Sequence, residues 1–232
     1  MILNKDTWEF DDSNLSEKLI AIGAPENPNI DEVVNVRHYV AAEIVERLQL
    51  TKSSRVLDLG SGMGFIAEKI APQVERVYCV DISETFLNDC RKRLTMFNNV
   101  EFHQISYGDL LPIYDKGIDA VYSSLLFIHF NFYDIYFYLT ELNKVLTVEG
   151  LLYFDYNDGE RFSLAVGEDS FHSHLSRYKE YLAEHKQFPF MHMTSFETLK
   201  NLAPQLGFKV VNNWVSDTCF SRILLQKDQD LL

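Results

Sequence analysis

Residues Val56-Leu57-Asp58-Leu59-Gly60-Ser61-Gly62-Met63-Gly64 constrain this chain more than any other stretch. Apolar β-formers run into a carboxylate, then into glycines at alternate positions, and a helical pattern opens at Phe65. That order reads as a strand, a tight turn and a helix start. Glycine removes the Cβ where a backbone turns sharply, and it lets a ligand approach N–H groups at the start of a helix. The natural occupant of such a turn is nucleotide-like.

The rest of the chain keeps the same rhythm. A helix is expected from Asp31, as its N-cap, to about Leu50, because Val33, Val36, Val40, Ile44 and Leu48 recur at helical spacing. Strands are expected at Arg55 to Leu59, Arg76 to Val80 with Asp81 at its end, Val100 to Ile105, Ile118 to Tyr122 and Gly150 to Phe154. Helices fall between them, at Phe65 to Ile70, after a Ser83 cap, and at Phe132 to Leu146. Thr194 and Glu197 have capping-box spacing and open a last helix that closes at Gly207. Phe208 to Val211 and Phe220 to Leu225 then read as an antiparallel hairpin.

Strands alternating with helices at this pace predict an α/β fold, with a doubly wound, seven-stranded, mostly parallel sheet, a C-terminal antiparallel hairpin and helices on both faces. At 232 residues the chain suits one domain. Residues 1–30 read as a lid-like segment in which Pro25 and Pro28 break any regular element, and 31–158 as the ligand-binding core. Residues 159–193, rich in aromatics and histidine, read as an insertion packed over one end of the sheet, and 194–232 as the closing helix and hairpin.

A formal net charge of −13 excludes nucleic acid as the main partner, since there is no basic excess to neutralise phosphates, and it disfavours anionic membranes. The start, Met1 to Asp6, lacks a basic region followed by an apolar core, so a cytoplasmic location is expected. The most apolar region, Ile118 to Leu139, is broken by Asp119, His129, Asn131 and Asp134 and reads as a strand and a helix, not a membrane span. Cys79, Cys90 and Cys219 are odd in number and widely spaced, which fits reduced cysteines without a metal or disulfide.

In doubly wound sheets, ligands sit beyond the carboxyl ends of the strands where strand order reverses. Asp81 lies 21 residues after Gly60, at the end of the next strand, where a carboxylate can accept both hydroxyls of a ribose. A dinucleotide turn has G-x-G-x-x-G or Ala, but position 65 is Phe and the spacing here is G-x-G-x-G, which weakens a pyrophosphate reading.

From about Asp31 to Gln226 the sequence resembles the class I S-adenosylmethionine-dependent methyltransferases. Val56 to Gly64 is similar to their first motif, Val77 to Ser83 to their ribose-binding motif, and Asn99 to Ser106 to their adenine-binding strand. Gly117 to Ser124 resembles their fourth strand, Leu125 to Phe130 the apolar stretch with a histidine that follows, and Thr194 to Val211 their last helix. The resemblance implies S-adenosylmethionine as cofactor. Its methionine part would lie against Gly60, Ser61 and Gly62 with Asp58 ordering the turn, its ribose at Asp81 and its adenine on Ile82. It also implies Arg37 as a clamp for the cofactor carboxylate and Ser123 beside the cofactor. The acid usual after the third strand is absent, so Ser106 and Tyr107, or Asp109 through a shifted register, would take its place.

Methyl transfer from a sulfonium is an in-line displacement that needs no metal, and a base is required only if the acceptor must lose a proton. His129 is the candidate base, because imidazole titrates near neutrality. Its alternative is a histidine satisfied by backbone or solvent. Aromatics at Phe127, Phe130, Phe132, Tyr133, Tyr136, Phe137 and Tyr138 read mostly as core. His172, His174, His185 and His192 lack ligand-like neighbours for a metal, and Asp155 and Asp158 either line an acceptor pocket or solvate its rim. No Pro-Pro-Tyr or Pro-Cys motif stands after the fourth strand, which, with the acidic composition, points to methylation of an O or N atom of a small molecule. Two other readings stay open: a nicotinamide-dependent oxidoreductase and a non-catalytic S-adenosylmethionine-binding protein. No oligomeric state is specified.

Overall fold

A computed structural model of the chain describes residues 8–11, 14–24, 28–107, 109–160, 179, 191–215 and 220–231. The elements in order are α1 (Leu15–Ala21), α2 (Ile30–Arg47), β1 (Arg55–Leu59), α3 (Phe65–Ile70), β2 (Arg76–Asp81), α4 (Glu84–Arg93), β3 (Val100–Gln104), β4 (Ile118–Ser123), α5 (Phe132–Val145), β5 (Leu146–Tyr156), α6 (Phe196–Leu202), β6 (Phe208–Val215) and β7 (Ser221–Lys227).

The strands form one seven-stranded sheet in the order β3-β2-β1-β4-β5-β7-β6. β1 pairs in parallel with both β2 and β4, and β4 with β5, while β7 runs antiparallel between β5 and β6. The expected doubly wound sheet and closing hairpin are therefore present. Strand order reverses between β1 and β4, and Ser123 holds that junction by donating its buried hydroxyl to the Leu59 carbonyl at 2.8 Å.

Alternation along the strands builds two cores. Leu57, Leu59, Tyr78, Val80, Val121 and Phe154 face α5 and α6. Val56, Val77, Cys79, Ala120 and Tyr153 face the other way, onto α2, α3 and α4. A third cluster sits apart from both, where Trp8 and Leu19 pack on Val33, Met63, Phe65 and Phe86.

Several boundaries differ from those expected. Residues 1–30 are not free of regular structure, because Asn14 caps α1 by accepting from Glu17 N–H. Asn29 rather than Asp31 caps α2, taking the Asp31 N–H at 2.9 Å and leaving Asp31 in the first turn, where its charge favours the dipole. Ser195 rather than Thr194 caps α6, since Thr194 N–H is engaged by the Asn157 carbonyl. That helix becomes a 3-10 turn at Ala203–Leu206, which contains Pro204. β5 begins at Leu146, directly after α5, and β6 continues to Val215 past a bulge between Val210 and Asn212. Most of the insertion, including His172, His174 and His185, lies outside the described residues, as does Cys219. Among the described residues no helix is long and apolar enough to cross a membrane.

Candidate functional site

The carboxyl ends of β1, β2 and β4 open into a cleft with about 940 Å³ of empty space, open solvent at its mouth included. Its floor is the glycine turn, its far wall Asp81, Ile82 and Ile105, and its near wall Arg37, Ser124, Leu125 and Leu126. Trp8, Ala21 and Ile22 cover it from the N-terminal segment.

The turn itself is held by its own hydrogen bonds. Gly60 and Ser61 amides both donate to the Val80 carbonyl, and the Gly62 amide donates to Asp81 Oδ2 at 2.9 Å. The backbone donors that the sequence offered to a ligand at these three positions are therefore already engaged. Gly62 has φ +51°, which L side chains seldom adopt, and Gly64 has φ +77° with Cys90 Sγ only 2.6 Å from where a Cβ would stand. Phe65, at the place of a dinucleotide turn's last glycine, is buried under the Arg93 guanidinium, 3.9 Å from its ring centroid.

What remains unengaged on the walls is side-chain chemistry. Asp58 Oδ2, Ser61 Oγ and Trp8 Nε1 are buried and lack a hydrogen-bond partner among the described residues. Asp81 Oδ1 accepts from Ser83 N–H and Oδ2 from Gly62 N–H, both at 2.9 Å, so each oxygen keeps a further lone pair for a ligand hydroxyl. Burial drives the Asp58 carboxyl up to about 8, against the pull of the nearby Tyr122 hydroxyl. Burial also raises Asp81 to about 6, opposed by the three backbone N–H groups around it and assisted by the charge of Glu9.

The sequence-predicted residues divide into two sets. Arg37, Asp58, Gly60, Ser61, Gly62, Asp81, Ile82 and Tyr107 share this cleft. Ser106 and Asp109 are exposed and off its walls, and Ser123 turns its hydroxyl into the sheet while Ser124 lines the cleft instead. His129 is buried at the end of a 3-10 turn, edge-on to Trp8 at 5.3 Å, and is not on the wall. Arg37 donates to the Ile22 carbonyl, and burial lowers its pKa while the Asp155 charge raises it. Asp155, whose own carboxyl burial lifts to about 6, accepts from Leu125 N–H at 2.6 Å and from the Ser124 hydroxyl at 3.3 Å. It thereby supports Leu125 at φ +61°, a strained value for a branched side chain. Tyr107 donates to Asp134 and stacks on Phe137, with ring centroids 6.0 Å apart.

Trp8 and Ile22 also line the cleft without any motif to announce them, their one signal being an N-terminal segment read as a lid; Leu125 and Leu126 come from the apolar stretch after the fourth strand, and Tyr138 from the aromatics read mostly as core.

A family model described as a methyltransferase domain matches residues 57–154. Curated relatives include protein-L-isoaspartate O-methyltransferase 2 of Pelobacter propionicus, 38% identical over 65 residues, which is 27% of this chain and 29% of that protein. The corresponding Vibrio atlanticus enzyme is 34% identical over 73 residues, 31% of this chain and 34% of its own length. The chain thus spans about a third of the curated relatives it matches. Among solved structures, magnesium protoporphyrin IX methyltransferase of Synechocystis, determined with bound S-adenosylhomocysteine, superposes with a TM-score of 0.65 at 15% identity, covering 94% of this chain and 96% of that one. An S-adenosylmethionine-dependent methyltransferase from Aquifex aeolicus gives 0.64 at 16% identity over 94% and 99%.

S-adenosylmethionine is the cofactor these findings imply, and the cleft fits it: a strand-end carboxylate with spare lone pairs, apolar walls beside it, and unpaired polar atoms over the glycine turn. Residues 57–154 match a methyltransferase-domain family model, and the chain shares its fold with solved S-adenosylmethionine-dependent methyltransferases.

Proposed function

We propose that this chain transfers the methyl group of S-adenosylmethionine to an oxygen or nitrogen atom of a small-molecule acceptor. The observation that carries this reading is the covered cleft, in which the glycine turn and Asp81 share walls with an apolar strip from the N-terminal segment. When bound, the cofactor supplies an electrophilic methyl on sulfur. Asp81 accepts the ribose hydroxyls, Ile82 and Ile105 flank the adenine, and Gly60 to Gly62 leave room for the methionine part. Arg37, partly buried and already oriented by the Ile22 carbonyl, is the cation for a carboxylate. Trp8, Ile22 and Leu126 exclude water, and aligning the reacting atoms in such a site is worth roughly 7 to 11 kcal/mol of barrier.

His129 serves as base in this reading for an acceptor that must lose a proton. His129 is off the cleft lining and edge-on to Trp8, which is on it, so that role requires the two rings to rearrange. The same cover favours a small acceptor over the protein side chain that the names of the partial relatives specify, since a polypeptide would have to pass beneath Trp8 and Ile22. The buried Phe65 disfavours the nicotinamide alternative.

Isothermal titration with S-adenosylhomocysteine tests the donor site. Wild type should bind, and Asp81→Ala should bind roughly 10- to 100-fold more weakly, as expected for one lost set of charge-assisted hydrogen bonds. Radiolabelled methyl transfer to a panel of small O and N nucleophiles, run beside an isoaspartyl peptide, tests the acceptor. Incorporation into the peptide alone would overturn the small-molecule reading, and binding without any incorporation would favour a non-catalytic binder.

A further inference from the structure

We infer that Trp8 is a binding residue for the cofactor, its indole N–H donating a hydrogen bond to a cofactor oxygen. This inference rests on the reading that the cleft takes S-adenosylmethionine. Its ground is a buried polar atom with no hydrogen-bond partner among the described residues. Trp8 is only 9% exposed, it lines the cleft, and its Nε1 has no hydrogen-bond partner among the described residues. Burying an unpaired N–H is unfavourable, and native proteins seldom keep one without a reason.

The position is not accidental to a loose chain end. Glu9, the next residue, places its carboxylate on the first turn of α4, accepting from the Glu84 N–H at 3.1 Å, the Thr85 N–H at 3.3 Å and the Thr85 hydroxyl at 2.6 Å. Phe10 packs on Phe86 with ring centroids 5.4 Å apart. On its other side Trp8 meets His129 edge-on. These contacts hold the indole over the cleft whether or not its N–H is used.

The neighbouring unpaired atoms specify the ligand chemistry. Ser61 Oγ on the glycine turn and Asp58 Oδ2 on β1 just before it share the cleft with this donor. An indole N–H can only donate, so its partner is a lone-pair acceptor. With the adenine assigned to Ile82 and Ile105 in the reading above, the acceptors left to it are oxygens, those of the amino-acid carboxylate and the ribose hydroxyls.

Trp8→Phe keeps an aromatic ring against His129 and removes the N–H donor. Two readouts should move in opposite directions. Affinity for S-adenosylhomocysteine, by isothermal titration, should fall about five- to tenfold, the loss expected for one hydrogen bond. The thermal midpoint of the free protein should stay the same or rise, because an unsatisfied buried donor has been removed; a purely structural tryptophan would lower it. The chain has two tryptophans, and Trp214 lies on β6, donating to Glu43 beneath the Arg47 guanidinium and off the cleft wall. In Trp214→Phe, therefore, S-adenosylhomocysteine should perturb the emission of Trp8 directly.

Repeating the titration with 5′-methylthioadenosine, which lacks the amino-acid group, separates the two oxygens. A loss confined to S-adenosylhomocysteine assigns the carboxylate, and an equal loss with both assigns the ribose. Equal S-adenosylhomocysteine affinity in wild type and Trp8→Phe overturns the inference and leaves the cofactor site standing. Failure of wild type to bind S-adenosylhomocysteine overturns both.

Discussion

Two aspartates one strand apart show how burial divides a single residue type into different chemistries. Asp58, raised to about 8 by burial, is pushed toward its neutral form and lines the cleft with Oδ2 unpaired among the described residues. Asp81, raised only to about 6 because backbone N–H groups hold its anion, is ionised at neutral pH and can accept from hydroxyls. Cofactor affinity should accordingly weaken as pH falls from 7.5 to 5, with the change centred near 6, because protonation removes the charge from the Asp81 hydrogen bonds. Titrations with S-adenosylhomocysteine across that range check it, and a flat profile would exclude Asp81 as the titrating acceptor. The sequence could locate both carboxylates by their place at a turn and a strand end. It could not rank their protonation, which depends on which amides close around each one.

At the level of elements, glycine spacing carried more information than periodicity. Gly64 is held at φ +77° against Cys90 of α4, so Gly64→Ala meets both a disfavoured dihedral and a sulfur 2.6 Å away. Strain and overpacking each cost on the order of 1 to 3 kcal/mol. Urea unfolding should show that variant destabilised by about 2 kcal/mol or more, with α3 and α4 pushed apart. The strands and long helices were legible because their apolar residues alternate or recur over many positions, as Val56, Leu57 and Leu59 do between two cores. Misplaced ends trace to partners distant in sequence. β5 starts early because Lys227, from β7, donates to the carbonyls of Asn143 and Leu146 and finishes α5 without a loop. The helix at Leu15–Ala21 is not legible because seven residues are too few to display a helical period, and one of the two it buries is Lys18, paired with Asp89 of α4 at 2.7 Å. Arg37 was legible as a cation of the site, yet its contact with Ile22 was not, since that depends on how the N-terminal segment folds over α2.

Across the whole molecule, Asp58, Asp81 and Asp155 are all buried and all titrate above an ordinary carboxyl. A carboxyl whose folded pKa exceeds its unfolded one contributes stability below the unfolded value and loses it as pH rises through the folded value. For these groups the loss runs from about 4 to about 6 for Asp81 and Asp155, and on to about 8 for Asp58. The thermal midpoint of the ligand-free protein should therefore fall between pH 5 and pH 8. Asp58→Asn should flatten the upper half of that decline, and an unchanged slope would remove Asp58 from the account. The order β4-β5-β7-β6 has a further consequence, for how the chain comes into being. β5, with Leu152, Tyr153 and Phe154 fully buried, gains its second neighbour only from residues 221–227. During synthesis, everything through α6 can be made while an apolar strand still lies open along one side, a template for pairing with another nascent chain. β7 leaves the ribosome after β5 and β6 and is the strand that closes the sheet between them, so the interval before its arrival leaves β5 open to aggregation and to chaperones.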